Sequence, residues 1–166
     1  MVKARIERVV DVPVDKTWEI IGDFSNVHRI HPLVGSVDQM TPDKDRGIGA
    51  IRRCNMYDGN KAVERIEAWD EANKTYTVKL LEGTLPMKSV DVILKVKDVG
   101  NGKSRLVADM SLKAKYGLLG KIMERLVIKP QLGAAVGNLF AGVESYEKTG
   151  VEIKEGFKAK TPAIVV

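Results

Sequence analysis

At 166 residues the chain is the size of one domain and is large enough to bury a core without disulfides or a structural metal. Its 27 Lys and Arg against 22 Asp and Glu leave a net charge of +5, but the basic residues are dispersed among acidic ones and aromatics make up only 5% of the chain. With no RNP-like or helix-turn-helix pattern to set those charges on a groove, a nucleic-acid partner is not expected.

No run nears the ~18 apolar residues of a membrane span, and the N-terminus alternates charged and apolar residues instead of forming a signal peptide. A cytoplasmic protein without stable membrane insertion, monomeric or weakly dimeric, is expected. The single Cys54 excludes an internal disulfide and any multi-cysteine metal site.

Lys3 to Asp11 alternates, with Ala4, Ile6, Val9 and Val10 among Arg5, Glu7 and Arg8, and predicts a first strand ending at Pro13. Asp15 is placed to cap a helix whose apolar face is Trp18, Ile21 and Phe24 and which stops near Ser25-Asn26; a short turn from Val27 to Ile30 then ends at His31-Pro32. Further strands are predicted near 33–40, 48–57, 61–69, 74–82, 88–98 and 104–114, separated by Asp58-Gly59, Asp70 to Asn73, Gly83 to Pro86 and Gly100-Asn101-Gly102. Short turns make successive strands antiparallel. The fold class expected is therefore α+β: a curved seven-stranded antiparallel sheet with two short helices after strand one and a long helix near the C-terminus.

That helix is predicted over about 117–148. Leu118, Ile122, Met123, Leu126, Val127, Leu132, Val136, Leu139, Phe140 and Val143 recur at steps of three and four, the spacing of one buried face. Between them lie Gly133, Ala134, Ala135, Gly137, Ala141 and Gly142. Each interior glycine costs a helix roughly 0.5–1 kcal/mol relative to alanine, so close approach or empty volume is being maintained. Tight helix-to-sheet packing and a ligand cavity both fit. Pro130 lacks a donor and predicts a bend or break between Ile128 and Leu132. Residues 1–150 are expected to form a ligand-binding domain and 151–166 a tail. The tail has no period, and disorder, an added edge strand or a cover over a neighbour's apolar surface all suit it.

Period-2 alternation also says which side chains look inward. The more apolar faces are Ala50, Arg52, Cys54 and Met56; then Ala62, Glu64, Ile66 and Ala68; then Tyr76, Val78 and Leu80; then Val90, Val92, Leu94 and Val96; then Leu106, Ala108, Met110 and Leu112. From the helix, Ala135, Val136, Leu139 and Val143 face them. Only Arg52 and Glu64 carry charge. Two opposite charges aimed into apolar space should pair with each other, with water or with a ligand; a one-residue slip in either strand would instead put them in solvent.

His28 and His31 lie three apart beside Asp23, but zinc needs three or four ligands and nothing completes the set, so neither metal nor cofactor is expected. His31 is either a hydrogen-bonding group at a pocket mouth or a loop histidine beside a proline. There is no Ser-His-Asp ordering, phosphate loop or dinucleotide fingerprint, and Gly47-Ile48-Gly49 lies at a strand entry. Two functions remain. A carrier needs only a pocket and mobile rims, which Asp58-Gly59-Asn60 and Gly83-Thr84-Leu85-Pro86 supply. An enzyme would use a desolvated Glu64 as general base, with Arg52 or His31 stabilising an enolate in aldol-type cyclisation or dehydration of a polyketide-like substrate.

In order along the chain, Trp18-Glu19-Ile20-Ile21-Gly22-Asp23-Phe24, Ile30-His31-Pro32, Gly47 to Arg53 with Asp58-Gly59, Glu64-Arg65-Ile66-Glu67 and Leu85-Pro86 resemble the START-related SRPBCC superfamily, which contains polyketide cyclase/dehydrase-like and lipid-transport proteins. Tyr116-Gly117-Leu118-Leu119-Gly120 and Thr149-Gly150 resemble a bacterial subgroup near the plant abscisic-acid-receptor branch. The resemblance spans residues 3–150. It implies the helix-grip fold and a cavity between sheet and terminal helix that takes a hydrophobic or amphipathic small molecule such as a lipid, isoprenoid or polyketide. By position, Glu64 resembles the glutamate lining the receptor pocket, and His31 falls near the lysine that there meets the ligand's carboxylate. Val90 stands where the receptors have tyrosine and Ile30 where the subgroup has tryptophan, which removes the hormone itself from consideration.

Overall fold

The computed structural model describes residues 2–84, 86–115 and 129–166. In chain order the elements are β1 (Val2–Val10), α1 (Val14–Ile21), a 3-10 helix (Phe24–Arg29), β2 (Val34–Gln39), β3 (Ile51–Met56), β4 (Lys61–Asp70), β5 (Thr75–Gly83), β6 (Met87–Gly100), β7 (Lys103–Ala114), α2 (Lys129–Thr149) and β8 (Ile164–Val165). The sheet has eight strands in the order β2-β3-β4-β5-β6-β7-β1-β8, and the paired strands are antiparallel. Thus β2 to β7 form the expected meander and β1 returns beside β7. With α2 packed against β1 and the inner face, this is the expected α+β helix-grip arrangement, extended by an eighth strand.

Several boundaries differ from the sequence expectation for local reasons. Gly47 (φ 80°) and Gly49 (φ 84°) take left-handed backbone, which a strand does not contain, so β3 begins at Ile51 and not near 48. Helix α1 stops at Ile21, and Phe24 sits in the separate 3-10 helix. Its N-cap is Pro13, with no side-chain cap. Asp15 lies in the first turn, where its carboxylate meets Lys74 Nζ at 2.8 Å.

In β4 a register shift between Ile66 and Ala68 opposes this segment to Val78 and Thr77 of β5. Such a bulge moves every later side chain to the other face. Ala68, expected inside, is therefore exposed, and Trp69 turns inward to stack on Tyr76 with ring centroids 5.3 Å apart. Trp18 of α1 closes the cluster 4.7 Å from Trp69, and Glu71 accepts both indole N–H groups at 2.7 and 2.9 Å. These rings fill one end of the space beneath the sheet.

Pro130 lies in α2 next to residues outside those described. The helix onset expected near 117, the Tyr116–Gly120 motif, Leu85 and the stretch up to Ile128 on which the expected bend depends lie outside the described residues. Phe140 and Val143 of α2 are fully buried in the core, each contributing roughly 1.5–3 kcal/mol.

The tail takes the edge-strand outcome. Ile164 and Val165 pair with Glu7 and Ile6, and Arg5 exchanges backbone hydrogen bonds with Val166 at 2.8 and 3.0 Å. Upstream, Ile153 is buried and its N–H donates to the Arg29 carbonyl. Arg8 holds the Thr161 carbonyl, and the Ala159 N–H donates to Asn138 Oδ1 at 2.9 Å. No helix among the described residues is long and apolar enough to cross a membrane.

Candidate functional site

The inward residues of β3 to β7 and the facing side of α2 enclose a cavity of about 340 Å³, near the lower limit of the ~300–1,000 Å³ typical of ligand pockets. The wall is mostly apolar. Thirteen of the residues expected to line it do so: His31, Arg52, Met56, Glu64, Val78, Leu80, Val90, Val92, Ala108, Met110, Ala135, Val136 and Leu139. Leu80, Val90 and Val92 point inward yet are only half-buried, because they face empty volume and not other side chains.

Five others do not reach the wall. Cys54, Ile66, Tyr76, Leu106 and Val143 share the inner face but lie in the core, buried to 5% exposure or less. The end of the sandwich they occupy is filled by Trp18, Phe24, Trp69 and Phe140. Tyr76 is fixed there by donating its hydroxyl proton to the Ile21 carbonyl at 2.8 Å, and burial raises its pKa above the usual phenol range. Burial likewise pushes the Cys54 thiol up to about 12, so it is an unreactive small hydrophobe.

Strand alternation puts Ala62 and Leu94 on the inner face, helical spacing puts Leu132 on the buried helix face, and turn composition puts Asp58 and Pro86 in the rim loops; all five line the cavity. Sequence reasoning missed Val27, Leu33, Met87 and Gln131. Val27 and Leu33 flank His31 in irregular backbone, where no period assigns a face.

Arg52 and Glu64 are direct register partners across β3 and β4. Arg52 Nε and Nη2 donate to Glu64 Oε2 at 2.9 and 2.7 Å, and Nη1 donates to the Phe24 carbonyl at 2.8 Å. The guanidinium also lies over the Phe24 ring, 3.9 Å from its centroid. Burial alone would lower the Arg52 pKa, but Cys54, Glu64 and Tyr76 outweigh it and raise it, so the group is a permanent cation. The Cys54 thiol approaches the same Glu64 oxygen at 3.8 Å, and among the described residues every hydrogen bond to this carboxylate ends on Oε2. Oε1 is left as an acceptor.

His31 lines the same cavity. Its Nδ1 accepts the Leu33 N–H at 3.2 Å, which assigns the proton of the neutral ring to Nε2. Burial and the nearby Arg52 charge hold its pKa down to about 4, so the ring is neutral near pH 7 and Nε2–H is a donor. Asp58 stands at the rim, its carboxylate taking the Asn60 N–H and Nδ2 at 2.9 Å each. Asp23 does not join His31. It lines a separate polar cleft of about 220 Å³ between α1, the 3-10 helix and α2, and its carboxylate accepts from Asn26.

Solved structures share this architecture at low identity. The protein XoxI from Bacillus cereus superposes with a TM-score of 0.73 at 13% identity, covering 90% of this chain and 97% of that one. A protein from Thermus thermophilus gives 0.74 at 16% identity, with 90% and 99% covered, and Ara h 8.0201 gives 0.65 at 19%, with 87% and 96% covered. No curated protein sequence matches at a significant level. The family model described as polyketide cyclase / dehydrase and lipid transport matches residues 1–144, and the chain therefore belongs to that family, within the START-related SRPBCC superfamily.

Proposed function

We propose that the protein binds or carries a hydrophobic or amphipathic small molecule in the cavity between the sheet and α2. The observation that carries this reading is the apolar cavity of about 340 Å³ with His31, Arg52 and Glu64 on its wall. Val78, Val90, Val92, Met110, Val136 and Leu139 hold the apolar body of the ligand, and Arg52, Glu64 and His31 meet its head group. The volume suits a molecule of terpenoid or small aromatic size better than a two-chain lipid. The protein works as a monomer or weak homodimer on a small molecule, with no nucleic acid involved.

A cyclase or dehydratase acting on a polyketide-like substrate, with Glu64 as base, is the second reading, and the Glu64 Oε1 left without a described partner favours it. Against it, the same carboxylate is held on Oε2 by two N–H groups of one guanidinium, an arrangement that makes a fixed acceptor paired with a permanent cation. Native mass spectrometry of freshly purified protein tests the first reading by detecting a retained small molecule. Glu64→Gln then separates the two on that molecule: a carrier changes affinity by ~1–3 kcal/mol, whereas an enzyme loses ~10²-fold or more in turnover with little loss of binding.

A further inference from the structure

We infer that the polar end of the cavity is built for an uncharged hydroxyl-bearing ligand and discriminates against both carboxylates and amines; this rests on the cavity being the binding site, as proposed above. The charged side chains on its described wall are Arg52, Asp58 and Glu64, one positive against two negative, so the wall carries −1 within a chain of net +5. The bulk charge would attract anions. The described wall of the cavity, with a net negative charge, does not.

Arg52 is the only cation on that described wall, its charge is paired with Glu64, and three of its five N–H donors are engaged. Two of its donors, Nε and Nη2, are on Glu64, and Nη1 is on the Phe24 carbonyl. An entering carboxylate would have to share this one guanidinium with Glu64 and sit beside a like charge, with Asp58 at the rim adding to the repulsion. An ammonium head fails for the converse reason. Its natural partner, Glu64, is already neutralised by Arg52, so the incoming cation would be desolvated next to another cation.

Besides the two N–H donors that Arg52 retains on Nη1 and Nη2, Glu64 and His31 offer one acceptor and one donor. Glu64 Oε1 accepts, because the described hydrogen bonds to this carboxylate all end on Oε2. His31 Nε2–H donates, because Nδ1 is occupied by the Leu33 N–H. A hydroxyl both donates one proton and accepts, and so complements the pair; a carboxylate accepts from His31 and Arg52 but brings no donor for Glu64, and an ammonium brings no acceptor for His31. A carbonyl satisfies His31 alone and ranks below the alcohol.

The test compares 1-decanol, decanoate and decylamine near neutral pH as competitors for the neutral fluorophore N-phenyl-1-naphthylamine, since the three share one chain and differ in the head group. Decanol should compete ~10-fold or more strongly than either ion. Decanoate or decylamine matching decanol overturns the inference while leaving the cavity reading intact. If neither the fluorophore nor any competitor binds, the cavity reading itself falls and takes the inference with it. Glu64→Gln frees the Arg52 cation, so the decanoate-to-decanol affinity ratio should rise ~10-fold in this variant. An unchanged ratio in folded variant protein overturns the inference, and the wild-type ranking decides it alone if the variant does not fold.

Discussion

Gly137 of α2 lies against Ala163 of the tail so closely that a Cβ built on the glycine would meet the Ala163 methyl carbon at 2.9 Å. The tail crosses the helix at this point before adding β8 to β1, and Arg8 reaches both partners through the Gly137 and Thr161 carbonyls. Gly137→Leu should therefore displace the tail and lower stability by ~1–2 kcal/mol, exposing residues after Ile153 to limited proteolysis. In a chain truncated after Lys158 the same substitution should become stabilising by up to ~1 kcal/mol, because only the helix propensity of leucine then acts. Equal effects in the two backgrounds would show that the glycine serves some other contact.

The small residues of α2 show how far the sequence carries. Their number announces close approach or empty volume, and the structure contains both. Gly137 accommodates the tail, a Cβ on Gly142 would clash with the Ile30 carbonyl, and Ala135 lines the cavity. Periodicity cannot sort these uses, since that depends on which neighbour lies over each turn.

Strand alternation puts Arg52 and Glu64 on one inner face from sequence alone, and they are direct partners there. It fails at Ala68, where a bulge adds a residue that no period-2 pattern encodes. It also cannot divide an inner face into wall and core. Ile66 and Leu106 obey the same alternation as Val92 and Met110, yet the first two are buried in the core and the last two line the cavity.

Ala135→Phe should fill part of the cavity from the helix side. Ala135 lies on the wall opposite the apolar strands, so a phenyl ring there occupies volume that N-phenyl-1-naphthylamine would use. Affinity for the fluorophore should fall ~10-fold or more, with the thermal transition shifted by only a few degrees. Unchanged affinity in folded protein would place the probe elsewhere.

Removing one member of the Arg52–Glu64 pair should cost more than removing both. Glu64→Leu leaves a guanidinium with 12% side-chain exposure and no carboxylate, at a cost of ~2–4 kcal/mol, the upper limit applying to a fully dry site. Adding Arg52→Met to it should recover at least half of that loss, because two apolar groups of similar volume suit the cavity wall. Recovery will be incomplete, since Arg52 also satisfies the Phe24 carbonyl. Denaturant midpoints of the two single variants and the double variant give the coupling energy; additive losses would mean that the charges act independently.

His31 supplies a pH dependence with a definite sign. Its pKa is held down to about 4 in the folded protein, below the ~6.5 of an unperturbed histidine, so between these values the unfolded chain binds a proton that the folded protein refuses. The contribution of His31 to stability is thus complete above pH ~6.5, declines as the pH falls toward ~4, and is lost below that. The full span corresponds to about 3 kcal/mol as an upper limit, of which ~2 kcal/mol should appear between pH 6.5 and 5. The shifted carboxylates lose their contributions lower down: Asp109, which Arg5 and Lys95 hold down to about 2, titrates well outside this window. Urea midpoints of wild type and His31→Gln at pH 6.5 and 5 isolate the effect. Wild type should lose stability over this interval and the variant much less, and parallel curves would show that the His31 ring is as easily protonated in the fold as out of it.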